Sequence, residues 1–360
     1  MLIKMNKLIN LRIVFNFLLI QVLMNLVYKV TFKSGIFNDF EIVQQIINKN
    51  LSAKNFSIDA PIYYLIPSML KISSFDNYLL FLYISSQIFI YLICVNLDYL
   101  GNISSIIFFS GWVVTISWFI GYPDVISIFL ITLIMKKILN DQITITTLFF
   151  LIFLIFNHYA LAIFISLIFI FLAENHQKKS LIIYTILGFL IGRSLVQLFL
   201  TNINFQGRSR LRFIFNDGVL ENAISLTSNN LMYLIISGSL GLTILFLVFS
   251  YFEKFTINRN IYMAYIVALI GTSLSLDTSR IFSILVVPIL IFILFRFDKI
   301  IKFKQKFKNL SYFLIAVVSV AIGENHVYGN IYFDSPNAYE PNIYNLISNL
   351  VNNLMKNIWP

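Results

Sequence analysis

Apolar residues run along this chain in stretches of about 15 to 21 positions, broken by short polar or charged segments, from Leu11 to Val327. A stretch of that length suffices to cross a hydrocarbon layer about 30 Å thick. The pattern predicts about eleven membrane spans, near residues 10–30, 77–97, 103–120, 123–139, 143–157, 159–173, 180–200, 230–252, 260–276, 280–296 and 310–327. Asn16, Gln21 and Asn25 interrupt the first stretch and no small-x-small pattern follows it, so it reads as a retained helix and not a cleaved signal. Two connections are longer than the rest, residues 31–76 and 201–229. Within the first, residues 35–49 and 61–72 carry apolar positions at helical spacing, which predicts two amphipathic helices lying in an interface. In residues 328–360, Ile343, Leu346, Leu350 and Leu354 form a stripe opposite asparagines, and Trp359 can anchor that tail at a membrane surface. The expected fold class is an all-α polytopic membrane protein with one transmembrane domain, residues 1–327, and an amphipathic extracytoplasmic tail, residues 328–360.

Composition excludes a soluble domain. Hydrophobic residues make up 59% and charged residues 12% of the 360 positions, against about 25% charged in an ordinary soluble domain. The formal charge of +10 would suit a nucleic-acid partner only if it formed a solvent-facing stripe. It is instead distributed by side. With the N-terminus inside, the cytoplasmic segments hold 15 Lys and Arg against 5 Asp and Glu, while the opposite face holds 11 of each. The basic run from Arg296 to Lys308 and the N-terminal Lys4, Lys7 and Arg12 mark the cytoplasmic side. The expected partners therefore include the bilayer and exclude nucleic acid. A single cysteine, Cys94, leaves no disulfide framework or cysteine-based metal site.

Most unusual polar residues fall on the predicted outer side, at turns between short spans: Gly121-Tyr122-Pro123-Asp124, Asn157-His158-Tyr159 and Leu276-Asp277-Thr278-Ser279-Arg280. Short spans allow such turns to sit below the membrane surface. In Asn38-Asp39-Phe40-Glu41, the two acids are two positions apart and point roughly 160–200° apart on a helix, so only one of them can face a given substrate. Asn38 or Asp39 can simply cap the helix. Alternatively, a partly desolvated Asp39 can serve as a general base, with Glu41 as the second candidate. Asp59 before Pro61, Asp124 after Pro123, and Asp277 before Thr278 all suit helix starts. Arg280 in a first turn opposes the helix dipole, and at membrane depth it needs a partner. It can pair with Asp277, or it can hold a phosphate with Asp277 fixing its orientation. His158 is either a packing residue or part of an anion site, and His176 and His326 are predicted too far away to join it on a metal. Arg208, Arg210 and Arg212 run against the positive-inside trend; if extended, they share one side, suited to a diphosphate or to anionic headgroups. Arg193 can snorkel toward the same side.

Taken together these features resemble the GT-C superfamily of integral-membrane glycosyltransferases, over about residues 10–300. The resemblance is carried by the early acids of the first long loop, by Ala60-Pro61-Ile62-Tyr63-Tyr64, by Gly121-Tyr122-Pro123-Asp124, and by Asp277-Thr278-Ser279-Arg280-Ile281-Phe282. It implies transfer of a sugar, with inversion, from a polyprenyl-phosphate or diphosphate donor to the hydroxyl of a glycan, lipid or protein acceptor outside the cytoplasm, in a membrane of the bacterial inner type. Asp39 or Glu41 would act as base, and Arg208, Arg210, Arg212 or Arg280 would meet the phosphate, with His158 as a further phosphate candidate and Asp59, Asp124 and Asp277 in support. No cofactor motif is present, and a divalent cation on the phosphate stays open. A Trp-Trp-Asp type motif and a large soluble C-terminal domain are lacking, which argues against an oligosaccharyltransferase. A polymerase of O-antigen or exopolysaccharide, or a flippase for lipid-linked sugars, is the alternative.

Overall fold

A computed structural model of the chain describes residues 11–28, 30–32, 35–48, 61–203, 219–231, 234–235, 238, 259–275, 277–301, 317, 327–328 and 331–332. The described residues are overwhelmingly helical. In chain order they form α1 (Leu11–Val22), which continues as a π-helical turn over Leu23–Tyr28, then α2 (Ile36–Ile47), α3 (Pro61–Met69) and α4 (Phe75–Leu97). A 3-10 helix, Asp98–Phe108, leads to α5 (Gly111–Trp118), followed by α6 (Asp124–Leu139), α7 (Ile145–Asn157), α8 (Tyr159–Leu172) and α9 (Asn175–Asn202). The last helices are α10 (Val219–Asn229), α11 (Arg259–Ser273), α12 (Thr278–Leu285) and α13 (Val287–Ile301), and two-residue strands at Val327–Tyr328 and Ile331–Tyr332 pair antiparallel.

Among the described residues, three helical stretches are long and apolar enough to cross a membrane: 75–101, 175–202 and 278–296. Shorter apolar helices occupy 11–27, 145–157 and 159–172. The helices expected in the first long connection are present, as α2 and α3. The expected span at 103–120 is not one helix: the 3-10 stretch ends at Phe108, Ser110 is extended with φ −135° and ψ 162°, and only the eight residues of α5 follow. The expected spans at 230–252 and 310–327, and the tail stripe with Trp359, lie outside the described residues, apart from isolated positions.

Polar pairs set the packing of the first helices. Arg12 meets Asp98, Asn16 donates to Ser104, and Gln21 donates to Gln87. The pairings of Arg12 and Gln21 run in opposite order along α4 and its extension, so the helices are antiparallel, with the buried Asn16–Ser104 bond between them. Small residues set another contact. Gly188 and Gly192, four apart on α9, lie against α7; a Cβ at position 192 would come within 2.7 Å of Ile155. The 278–296 stretch is almost wholly enclosed by protein. At about 1.5 Å per residue, α7 and α8 are each only about 20 Å long, while α9 reaches about 42 Å. The Asn157-His158 corner therefore lies well short of the far end of α9.

Among the described residues, two non-glycine positions, Lys71 and Asp141, take left-handed backbone, and both close helices. Gln142 N–H bonds to the Lys137 carbonyl at 2.8 Å and Asp141 N–H to Ile138 at 3.2 Å, the paired bonds of a Schellman ending with Asp141 at φ 54°. Lys71 does the same after α3, with Ile72 N–H on Pro67 and its own N–H on Ser68.

Candidate functional site

Charged side chains gather at the two ends of the helix bundle, and at one end they are buried. There the chain turns from α5 into α6 through Gly121-Tyr122-Pro123-Asp124. Gly121 adopts φ 103°, which a side chain would strain. Thr31 holds the turn from the other side, its N–H bonded to the Ser117 carbonyl at 3.0 Å and its hydroxyl to that of Trp118 at 2.6 Å. The Pro123 carbonyl accepts from the Asn157 side chain at 2.8 Å, and Asn157 also donates to the Ser127 hydroxyl at 3.0 Å. The α7–α8 corner is thereby locked to the start of α6.

This scaffold aims Asp124 at Arg280. The guanidinium Nε lies 2.7 Å from Asp124 Oδ2 and one terminal nitrogen 3.2 Å from Oδ1, a two-pronged contact between residues 156 positions apart. Its other terminal nitrogen donates to Asp277. The guanidinium carbon sits 3.7 Å from the Tyr122 ring centroid, so the planar group is also stacked. Only 4% of the Arg280 side chain and 2% of that of Asp124 remain exposed, against 21% for Asp277. Burial makes this geometry obligatory: an arginine withdrawn from water needs partners for its fork, and two carboxylates with an aromatic face supply them.

Several expectations are corrected here. Asp124 caps nothing through its side chain: Pro123 occupies the cap position of α6, and the carboxylate is turned to Arg280. Asp277 does sit at the cap position of α12, but without a side-chain capping bond; its carboxylate also serves Arg280. The ion-pair reading of Asp277 with Arg280 is the one observed, extended by Asp124. As a phosphate clamp, Arg280 has its Nε and both terminal nitrogens already engaged, and the three residues together carry one excess negative charge.

Asp39 belongs to the same end. Gly35, in left-handed backbone, begins α2, and neither Asn38 nor Asp39 acts as the side-chain cap. Asp39 is instead buried in the first turn and accepts a hydrogen bond from the Tyr64 hydroxyl of α3 at 2.8 Å. Glu41, two positions on, is exposed, as helical geometry requires. Gln44 donates to the Ile72 carbonyl at 2.7 Å, tying α2 across to the end of α3. Tyr78 lies within electrostatic reach of both Asp39 and Tyr63. Tyr63 is buried and near Asp124; burial first, then that charge, pushes its phenol above the ordinary range, while its bond with Ser86 acts the other way. Tyr64 and Tyr78 thus lie near the Asp39 carboxylate, and Tyr63 lies near Asp124.

His158 is buried at the corner, ending α7 and beginning α8 with φ −154° and ψ 75°. It is placed beside Asn157 and hence near the start of α6. Arg208, Arg210, Arg212 and Asp59 lie outside the described residues. Among the described residues no three His, Cys, Asp or Glu side chains converge as a metal site; with Asp124 and Asp277 held by Arg280, they do not build one for a divalent cation.

The sequence reading missed the pairing of Asp124 with Arg280, the stacking of Tyr122, and the Tyr64–Asp39 bond. A signal for the first existed: an arginine at membrane depth with five N–H donors is underpartnered by Asp277 alone, and Asp124 begins another helix on the same predicted side. The chain matches no protein-family model, and neither the curated proteins nor the solved structures include one similar to it.

Proposed function

We propose that this chain is an integral-membrane glycosyltransferase of the GT-C kind, moving a sugar from a polyprenyl-phosphate-linked or diphosphate-linked donor to an acceptor hydroxyl outside the cytoplasm. In this reading about eleven spans cross the membrane, the Asp141 end of the bundle faces the cytoplasm and the Asp124 end faces out. The observation that carries the proposal is Asp39: a carboxylate near the start of an amphipathic helix, where exposure would be easy, is drawn inside and held by Tyr64. A carboxylate so placed is suited to accept the proton of an attacking hydroxyl. The acceptor oxygen forms a bond to the anomeric carbon, the bond from that carbon to the donor phosphate oxygen breaks, and the electron pair leaves with the phosphate. Tyr63, kept protonated by burial, is suited to donate a hydrogen bond within the same cluster. The Asp124–Arg280–Asp277 group supports the reading as a rigid frame, fixing the turn beneath the cluster.

Deleting the gene should remove a cell-surface glycan or glycolipid, and the complementing Asp39→Asn variant should restore less than about one part in a hundred of the activity, the loss typical of a general base. Asparagine retains an acceptor for Tyr64, so membrane levels of that variant should match wild type. Glu41→Gln should complement fully. Normal glycan synthesis with Asp39→Asn overturns the assignment, and failure of Glu41→Gln alone would transfer the base to Glu41.

A further inference from the structure

Arg193 stands on an apolar exposed face of α9. It is exposed on α9, with Leu190, Ile191, Leu195 and Leu198 exposed around it. A stretch long and apolar enough to span a membrane, and mostly turned away from the protein, presents this face to lipid. Lys178 and Lys179 lie in the first turn of the same helix. Arg193 is some 14 residues beyond them, about 21 Å along the axis, which is short of the far boundary of a hydrocarbon layer about 30 Å thick. An isolated cation there is unfavourable unless its head reaches the headgroup region or a counter-charge. The side chain is not left to wander. Its guanidinium carbon lies 5.0 Å from the Tyr159 ring centroid, and Phe189, one turn earlier, packs edge-on against the same ring at 5.8 Å. The contact with Tyr159 holds the exposed guanidinium beside the lipid-facing surface of α9.

We propose that Arg193 and Tyr159 form a binding site for the phosphate of an anionic bilayer lipid, approached sideways from the membrane. The guanidinium supplies paired N–H donors to the phosphate oxygens, Tyr159 holds it in register, and the apolar residues of α9 pack against the acyl chains. Tyr159 follows His158 and Asn157, and Asn157 is bonded to the start of α6, so the lipid site adjoins the Asp124 end of the bundle. The inference rests on the membrane setting proposed above and is independent of the transferase chemistry.

The test uses the full chain, purified and reconstituted in phosphatidylcholine nanodiscs containing either phosphatidylglycerol or a polyprenyl monophosphate, with retained lipid read by native mass spectrometry. Arg193→Gln and Tyr159→Leu should each reduce phosphatidylglycerol retention about tenfold, Arg193→Lys should reduce it less, and Tyr159→Phe should match wild type because the ring is kept. Retention unchanged in both Arg193→Gln and Tyr159→Leu overturns the site. Equal occupancy by free inorganic phosphate overturns the lipid as its source, and retention of polyprenyl monophosphate alone replaces the headgroup assignment with the sugar carrier. Glycan synthesis surviving in Arg193→Gln would not bear on Asp39, so the two readings fail separately.

Discussion

The two ends of the helix bundle use the same residue types to opposite effect. At the Asp141 end, Arg12 meets Asp98 with 33% and 21% of the two side chains exposed, Asp141 bonds to His176 at 2.7 Å while 66% exposed, and Arg296 approaches Glu174 at 4.0 Å. At the Asp124 end, Arg280 and Asp124 are nearly dry and joined by a two-pronged contact, with Arg280 stacked on Tyr122 and Asp277, 21% exposed, as a second carboxylate partner. Solvent screens the first set and tolerates loose geometry, so each pair contributes little. The second set has lost its hydration, and only matched geometry makes it tolerable. The location of charge therefore matters less than its dryness: one end is a wetted rim, the other a fixed frame built around Arg280.

The largest expected effect follows from emptying that frame of its cation. Arg280→Met leaves Asp124 and Asp277 facing each other with no counter-charge and should destabilise the protein by about 3–5 kcal/mol. Arg280→Lys keeps the charge but loses the fork and the planar face against Tyr122, so it should also unfold well below wild type. Adding Asp124→Leu to Arg280→Met removes one of the stranded charges and should recover part of the loss. Thermal unfolding in detergent, followed by size-exclusion recovery, measures all three. If Arg280→Lys unfolds with wild type, the contrast between the ends collapses, because a point charge would then do the work assigned to geometry.

What could be read in the sequence follows the range of each interaction. Hydropathy located α2 and α3 in the long first connection and the positions of α4, α6, α7 and α8, because each helix carries its own apolar period. The opposed directions of Asp39 and Glu41 needed only helical geometry, and the Asp277–Arg280 pair spans three positions within one turn. Asp124 with Arg280, Tyr64 with Asp39, and Asn157 with Pro123 join segments far apart in sequence, and nothing local to either partner names the other. The break at Phe109-Ser110 was hidden for a different reason: apolar residues flank it on both sides, so the apolar pattern reads as one span where the backbone makes a 3-10 stretch and a short helix.

At the wetted rim, Arg12→Gln should cost no more than about 1 kcal/mol, since the pair with Asp98 is partly screened. Its effect should also shrink as salt is raised from low ionic strength to 1 M, where the screening length falls to about 3 Å, while the Arg280→Met loss should barely change. Unfolding midpoints of both variants across that salt range test the comparison directly. An Arg12→Gln loss that is both large and independent of salt would show that this end is dry as well.

The smallest effect concerns Asp141, and pH isolates it. Hydrogen bonds from Gln177 and then His176 hold its carboxyl below the ordinary carboxylate range, outweighing slight desolvation. A carboxylate depressed in the folded state contributes stability that is present above its unfolded pKa, near 3.9, and is lost as pH falls through the folded value. Asp141→Asn preserves the left-handed closure of α6, which asparagine adopts readily, and keeps an acceptor for Gln177, removing only the charge. The variant should therefore unfold slightly below wild type at neutral pH, and the gap should close as pH falls below about 4, where protonation makes the native side chain neutral too. Thermal midpoints of the two proteins between pH 7 and pH 3 provide the measurement, since every other acidic group is common to both and cancels in the difference. A gap that stays constant over that interval would assign the contribution of Asp141 to backbone shape and not to its charge.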